Sequence, residues 1–181
     1  MTKNIMIVGV GGQGTLLASK VLGKLLVSQG YDVKVSEVHG MSQRGGSVVT
    51  YVRYGDKVYS PLIEIGEADY IISFEPLEAA RWVEYLNPET GILITNTHEI
   101  NPMPVIIGQA EYPEDIISKL DVEVDAIDAQ HVGFERCVNI ILLGRLSKYF
   151  DFPKQAWIDA IKACVKPQFV DMNLKAFELG R

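Results

Sequence analysis

The run Ile5-Met6-Ile7-Val8-Gly9-Val10-Gly11-Gly12-Gln13-Gly14, followed by Leu16, Leu17, Val21 and Leu25 at helical spacing, decides the fold of this chain. The apolar stretch reads as a buried strand, and the spaced leucines and valine as one face of a helix. Glycine loses more conformational freedom on folding than any other residue, so its density between Gly9 and Gly14 needs a reason. That reason is backbone that approaches a ligand closely or turns through positive φ. Strand, tight loop and helix start together offer free N–H groups and the positive end of a helix dipole, a setting that favours an anion. A second glycine-rich stretch, His39-Gly40-Met41-Ser42-Gln43-Arg44-Gly45-Gly46-Ser47, adds an arginine, an amide and two hydroxyls. Two such loops predict one composite polar site.

Outward from the first loop, residues 14–29 read as a helix that Gly30 ends, and 32–38 as a second strand, giving a βαβ unit with a parallel pair. Then the pattern changes. Ser47 to Tyr54 is β-branched and aromatic, Gly55-Asp56 signals a turn, and Lys57-Val58-Tyr59 continues beyond it. That predicts a β-hairpin where a dinucleotide-binding fold needs another crossover helix. Residues 69–74 read as a buried strand and 75–86 as a helix with Pro76 in its first turn. Residues 91–95 and 105–107 read as strands around a Pro-rich turn, 113–120 as a short helix, and 122–127 as a strand. A long helix is expected over 132–149, with two shorter ones in the tail, separated near Pro167. Around Ile140 to Leu143 the long helix is apolar on nearly its whole circumference, so it must be buried on several sides, within the domain or under another subunit. The sum is an α/β fold: three layers, a mostly parallel central sheet, a Rossmann-like βαβ start and an antiparallel hairpin extension, in one domain spanning 1–181.

Composition narrows the function. The chain has 181 residues, 48% apolar and 22% charged, which is ordinary globular usage. Its net charge of -6, without any block of Lys or Arg, speaks against a nucleic-acid or membrane-surface role. No apolar run reaches membrane-spanning length and the N-terminus lacks signal-peptide features, so the expectation is a soluble cytoplasmic protein. Cys137 and Cys164 fit no metal or redox motif, and two cysteines cannot by themselves ligate an iron–sulfur cluster.

Gly9, Gly11 and Gly14 match G-x-G-x-x-G, and Glu37 lies near the end of the next strand, where a dinucleotide-binding fold places a ribose-binding acid. Two alternatives stand beside an anion site here: a module holding NAD(P), and a strand-to-helix turn with no ligand. The predicted hairpin speaks against the first. Gln13 can offer its amide to a neighbouring loop or to a ligand. Arg44 is the best anion or carboxylate ligand because its planar fork binds two oxygens, the other reading being a surface or interface salt bridge. His39 is a candidate active-site acid or base, or else a loop histidine with a single hydrogen bond. His98 and His131 stand alone and read as structural. Asp121, Glu123, Asp125 and Asp128 alternate at strand spacing, which reads as a solvated face and not a metal site.

The two motifs carry a resemblance as well. Gly9-Val10-Gly11-Gly12-Gln13-Gly14 and Ser36 to Val48, with its Arg44-Gly45-Gly46, resemble the gamma-type subunit or domain of the 2-oxoacid:ferredoxin oxidoreductases over most of the chain. His39-Gly40-Met41-Ser42-Gln43 tilts the likeness to the indolepyruvate branch, with the pyruvate, 2-oxoglutarate and branched-chain enzymes as alternatives. The resemblance implies oxidative decarboxylation of a 2-oxoacid, formation of an acyl-CoA and transfer of electrons to ferredoxin. It also implies that thiamine diphosphate, magnesium and 4Fe-4S clusters sit on a large alpha subunit, because no motif for them stands in this chain. The present chain would complete the active site and help receive CoA, and a homo-oligomer is compatible with the same reading. On that basis Gly9, Gly11, Gly12, Gln13, Gly14, Ser42, Gln43, Arg44, Gly45 and Gly46 are expected to bind the cofactor or co-substrate, with no metal held by this chain.

Overall fold

The computed structural model describes residues 2–39, 45–132 and 134–181. In chain order the elements are β1 (Lys3–Val10), α1 (Thr15–Ser28), β2 (Asp32–His39), β3 (Ser47–Gly55), β4 (Tyr70–Ser73), α2 (Pro76–Trp82), β5 (Ile92–Asn96), α3 (Met103–Ile106), β6 (Glu123–Ile127), α4 (Val138–Leu146), α5 (Lys154–Cys164) and α6 (Val170–Gly180). The strands form one sheet in the order β2-β3-β1-β4-β5-β6. β1, β4, β5 and β6 run parallel, while β3 pairs antiparallel with both β1 and β2.

Side-chain alternation along the strands builds the layers. Ile5, Ile7, Ile72 and Ile94 face a core shared with α1, α4, α5 and α6. Met6, Val8, Ile71 and Leu93 face the other way, against Ala79 and Trp82 of α2. Full burial of one such side chain stabilises by about 1.5–3 kcal/mol. With α1 and α2 on opposite faces, the chain leaves β1 in one direction and β4 in the other. The crevice beyond the carboxyl ends of β1 and β4 is therefore the topological switch point, where open α/β sheets bind ligands.

Several expectations are corrected. β1 and β2 are not hydrogen-bonded to each other, because β3 lies between them. The antiparallel hairpin is present, but its strands are β2 and β3; 57–59 adds no strand. Val58 instead turns back on β2, its N–H bonding Asp32 Oδ2 at 2.9 Å. Residues 105–107 are not extended: Val105 and Ile106 end α3, which follows Pro102, Ile107 caps it, and Ile106 and Ile107 stand 65% and 55% exposed, so this apolar run is not a core strand. Over 113–120 there is only a 3-10 turn, Ile117–Lys119.

The acidic alternation is not wholly a solvated face either. Asp125 is drawn under α4, accepting from Arg145 Nε at 2.6 Å and the Tyr149 hydroxyl at 2.9 Å. The long helix is α4 flanked by 3-10 turns, Glu135–Cys137 and Ser147–Tyr149. Every α4 residue except Arg145 is buried within this chain. Its closest neighbour is α6: a Cβ placed on Gly144 would strike the Phe177 carbonyl oxygen, and one on Gly180 the Ile141 carbonyl oxygen. The apolar circumference is thus covered without recourse to another subunit.

Candidate functional site

The first glycine loop turns where β1 ends. Gly12 and Gly14 hold φ of 103° and 88°, a region that L side chains rarely adopt. Around Gly12 there is open space, whereas a Cβ on Gly14 would lie 2.7 Å from Asn139 Nδ2. Asn139 also donates to the Gly14 carbonyl at 3.3 Å, fixing the start of α1. Among the described residues, the N–H groups of Gly12, Gly14, Thr15 and Leu16 meet no acceptor. They are the orphan donors that a helix start presents to an anion.

Gln13 works inward. Its Oε1 accepts the Val10 N–H at 2.7 Å and its Nε2 donates to the Phe74 carbonyl at 3.1 Å. Asn96, 1% exposed, donates to that same carbonyl at 3.3 Å and accepts the Ala129 N–H at 2.9 Å. Two side-chain amides thus stitch together the carboxyl ends of β1, β4 and β5 and the turn after β6.

The second glycine loop joins the first through the main chain. The Gly11 N–H donates to the Gly46 carbonyl at 2.8 Å, and the Gly45 N–H to the Gly11 carbonyl at 3.4 Å. The two motifs predicted to converge are in contact. Three clefts surround the junction. One of about 350 Å³ is lined by Gly11, Gly12, Gly14, Thr15, Glu37 and Val48. A second, of about 440 Å³, is lined by Gly12, Gln13, His98, Gln130 and Arg136. A third, of about 430 Å³, runs between Gly45, Ser47, Glu75 and Glu78 and the segment from Ile100 to Ile106.

The pyruvate ferredoxin/flavodoxin oxidoreductase family model matches residues 4–181. The chain belongs to this family. A relative named indolepyruvate oxidoreductase subunit IorB, from Pyrococcus horikoshii, is 44% identical, over 98% of this chain and 93% of its own length. Among solved structures, a keto/oxoacid ferredoxin oxidoreductase gamma subunit from Geobacter sulfurreducens superposes with a TM-score of 0.71 at 23% identity, covering 98% of this chain and 95% of its own. The 2-oxoglutarate:ferredoxin oxidoreductase from Magnetococcus marinus, solved with 2-oxoglutarate, coenzyme A and succinyl-CoA bound, gives 0.76 at 18% identity, over 99% of this chain and 30% of that larger one. Both likenesses are of fold.

In this family member, the predicted site residues fall into three groups. Gly9, Gly11, Gly12, Gln13 and Gly14 form the first loop at the switch point, where Gly11 bonds both Gly45 and Gly46. His39 ends β2 opposite Val48, and its side chain lies outside the described residues. Ser42, Gln43 and Arg44 also lie outside them. Glu37 faces the first cleft and accepts from the Thr50 hydroxyl at 3.4 Å. In a dinucleotide-binding fold its strand would adjoin β1; here β3 holds it two strand spacings away, about 10 Å. Gly9 serves packing, since a Cβ there would sit 2.9 Å from Gln13 Oε1 and 3.0 Å from Phe74 Cβ.

Sequence reasoning missed Asn96, Asn139, Glu75, Glu78 and Tyr112. The Glu75-Pro76 pair signalled a helix start, but not that Glu75 would be 1% exposed with three donors. His98, read as structural, lines the second cleft beside Arg136. His131 is surface-exposed and pairs with Asp128 at 2.9 Å; that hydrogen bond holds the Asp128 carboxyl below its ordinary range. Burial pushes both the Cys137 and Cys164 thiols up, so neither is poised as a thiolate. Among the described residues no group of three or more His, Cys, Asp or Glu could hold a metal ion, and no helix is long and apolar enough to cross a membrane.

Proposed function

We propose that this chain is the cofactor-free subunit of an indolepyruvate ferredoxin oxidoreductase. Residues 1–181 act as one gamma-type domain that completes the active site for CoA-dependent oxidative decarboxylation. The observation that supports this reading is the pair of main-chain hydrogen bonds joining Gly11 to Gly45 and Gly46, which brings the two glycine motifs together. The 44% identity to a subunit named for indolepyruvate supports the substrate.

The chain's own donors do not fit an iron–sulfur cluster: it has two cysteines, one of them buried, where a cluster takes four. The clusters, thiamine diphosphate and magnesium belong to a large alpha subunit, which supplies the decarboxylation and electron-transfer chemistry, and ferredoxin accepts the electrons in the cytoplasm. The present chain contributes binding. The N–H groups of Gly12, Gly14, Thr15 and Leu16, without an acceptor among the described residues, suit the phosphates of CoA, and Arg44 is a further candidate ligand for them.

The test is reconstitution. The isolated chain should show no turnover; mixed with the cognate alpha subunit it should restore indolepyruvate- and CoA-dependent ferredoxin reduction. Turnover by the isolated chain would sink the proposal, and a clear preference for pyruvate, 2-oxoglutarate or a branched-chain 2-oxoacid would reassign the substrate.

A further inference from the structure

One turn of helix holds both walls of the third cleft. Glu75 is the N-cap of α2, and its Oε2 accepts the Glu78 N–H at 2.9 Å. Its Oε1 faces the opposite way and accepts from the Ile100 N–H at 3.3 Å and from the Tyr112 hydroxyl. The segment 101–111 is thus tied at both ends to a single oxygen. Between the ties, Met103, Ile106 and Ile107 stand 65%, 65% and 55% exposed, so the segment has little core of its own to fix it. Glu78, 4% exposed, holds the other wall: it accepts from the Ser47 hydroxyl and lies 3.3 Å from Arg81 Nε. Ser47 directly follows the second glycine loop.

We infer that Glu75 and Tyr112 are positioning residues that set the width of this cleft. They fix the 100–112 strap opposite Ser47, across a cleft that Gly45 of the second glycine loop also lines, and so determine how tightly the part of the co-substrate beyond the Gly12 to Leu16 N–H groups is held. The inference rests on the proposed role of the glycine loops in receiving CoA. Burial and the Glu75 hydrogen bond both push the Tyr112 phenol well above its ordinary range, so the hydroxyl stays a donor at any working pH. A carboxylate that served only as a helix cap would need Oε2 alone, whereas the strap bonds use Oε1.

Tyr112→Phe separates the two roles, because it removes one strap bond and leaves the cap intact. Loss of a hydrogen bond to a charged group predicts about tenfold faster hydrogen exchange across 100–112 in the full chain, with protection of α2 unchanged. In the reconstituted complex the same variant should raise KM for CoA about tenfold while kcat holds, the signature of lost uniform binding. Ser47→Ala, acting on the opposite wall, should raise KM without faster exchange in 100–112. Unchanged exchange in Tyr112→Phe overturns the inference, as does faster exchange with an unchanged KM. Wild-type turnover in the mixture reads the proposed function separately, and the exchange measurement reads the strap whether or not turnover is seen.

Discussion

Gln13 and Phe74 are joined by a 3.1 Å hydrogen bond that crosses the switch point of the sheet. The same amide receives the Val10 N–H, so one side chain closes the gap between the ends of β1 and β4. A glutamine in a glycine loop invites the reading of a ligand contact. Here both ends of the amide are already occupied by protein, and what the loop leaves unpaired among the described residues is its main-chain N–H groups.

Gln13→Ala therefore tests architecture. The Phe74 carbonyl keeps Asn96 as a donor, but the part-buried Val10 N–H is orphaned. The expected cost is about 2 kcal/mol, seen in calorimetry as a fall in Tm of about 4–8 °C. An unchanged Tm would show that water replaces the amide without loss.

The loop glycines should separate by environment. Gly12→Ala and Gly14→Ala both force a side chain into left-handed backbone, a cost of about 1–2 kcal/mol. Only Gly14→Ala also meets Asn139, at 2.7 Å. Chemical denaturation should find Gly14→Ala clearly the less stable; equal losses would mean that Asn139 moves aside freely.

Binding variants read the same loops from the ligand side. Gly12→Val fills the open space above an exposed turn, and Arg44→Ala removes the charge proposed to meet the anionic co-substrate. In the reconstituted complex each should raise the CoA concentration needed for turnover roughly tenfold to hundredfold, with assembly checked by gel filtration. Wild-type kinetics in both would reduce the loops to structural turns.

The periodicity of β1 and α1 made the start of the chain legible, and the convergence of the two glycine loops followed from their spacing. What stayed hidden were pairings between residues far apart in sequence. Nothing local marks Tyr112 as the partner of Glu75, or Asn139 as the partner of Gly14, because those contacts exist only once the sheet order is set. The strand order failed for a similar reason: a hairpin signal at Gly55-Asp56 was plain, yet β3 paired with strands before it. At 105–107, apolar and β-branched residues mimicked a strand, but flanking prolines and solvent exposure give a short helix.

Tyr149 offers a pH test at the far edge of the sheet. Burial, and then its hydrogen bond to Asp125, push the phenol from its ordinary 10.0 up to about 12. A group whose pKa rises on folding contributes stability that is fully present below its unfolded pKa and lost as pH climbs through the folded one. Wild type should lose this contribution between about pH 10 and pH 12, whereas Tyr149→Phe has none to lose. Denaturation of the two proteins across that window should show their stabilities converging; parallel curves would refute the coupling.

The placement of β3 between β1 and β2 has a consequence for how the chain folds. Until β3 inserts, β1 and β2 each present an open ladder edge, the template on which other chains add strands. Such half-built sheets are the species that aggregate during folding. β3 covers the two edges that face it and leaves β2 as the outer strand of the sheet, and Gly45 and Gly46, directly before β3, come onto Gly11. Pairing of β3 with β1 and meeting of the two glycine loops are therefore one event. A molecule whose glycine loops have met has already covered the edge of β1 that faces β3 and made β1 an interior strand of the sheet.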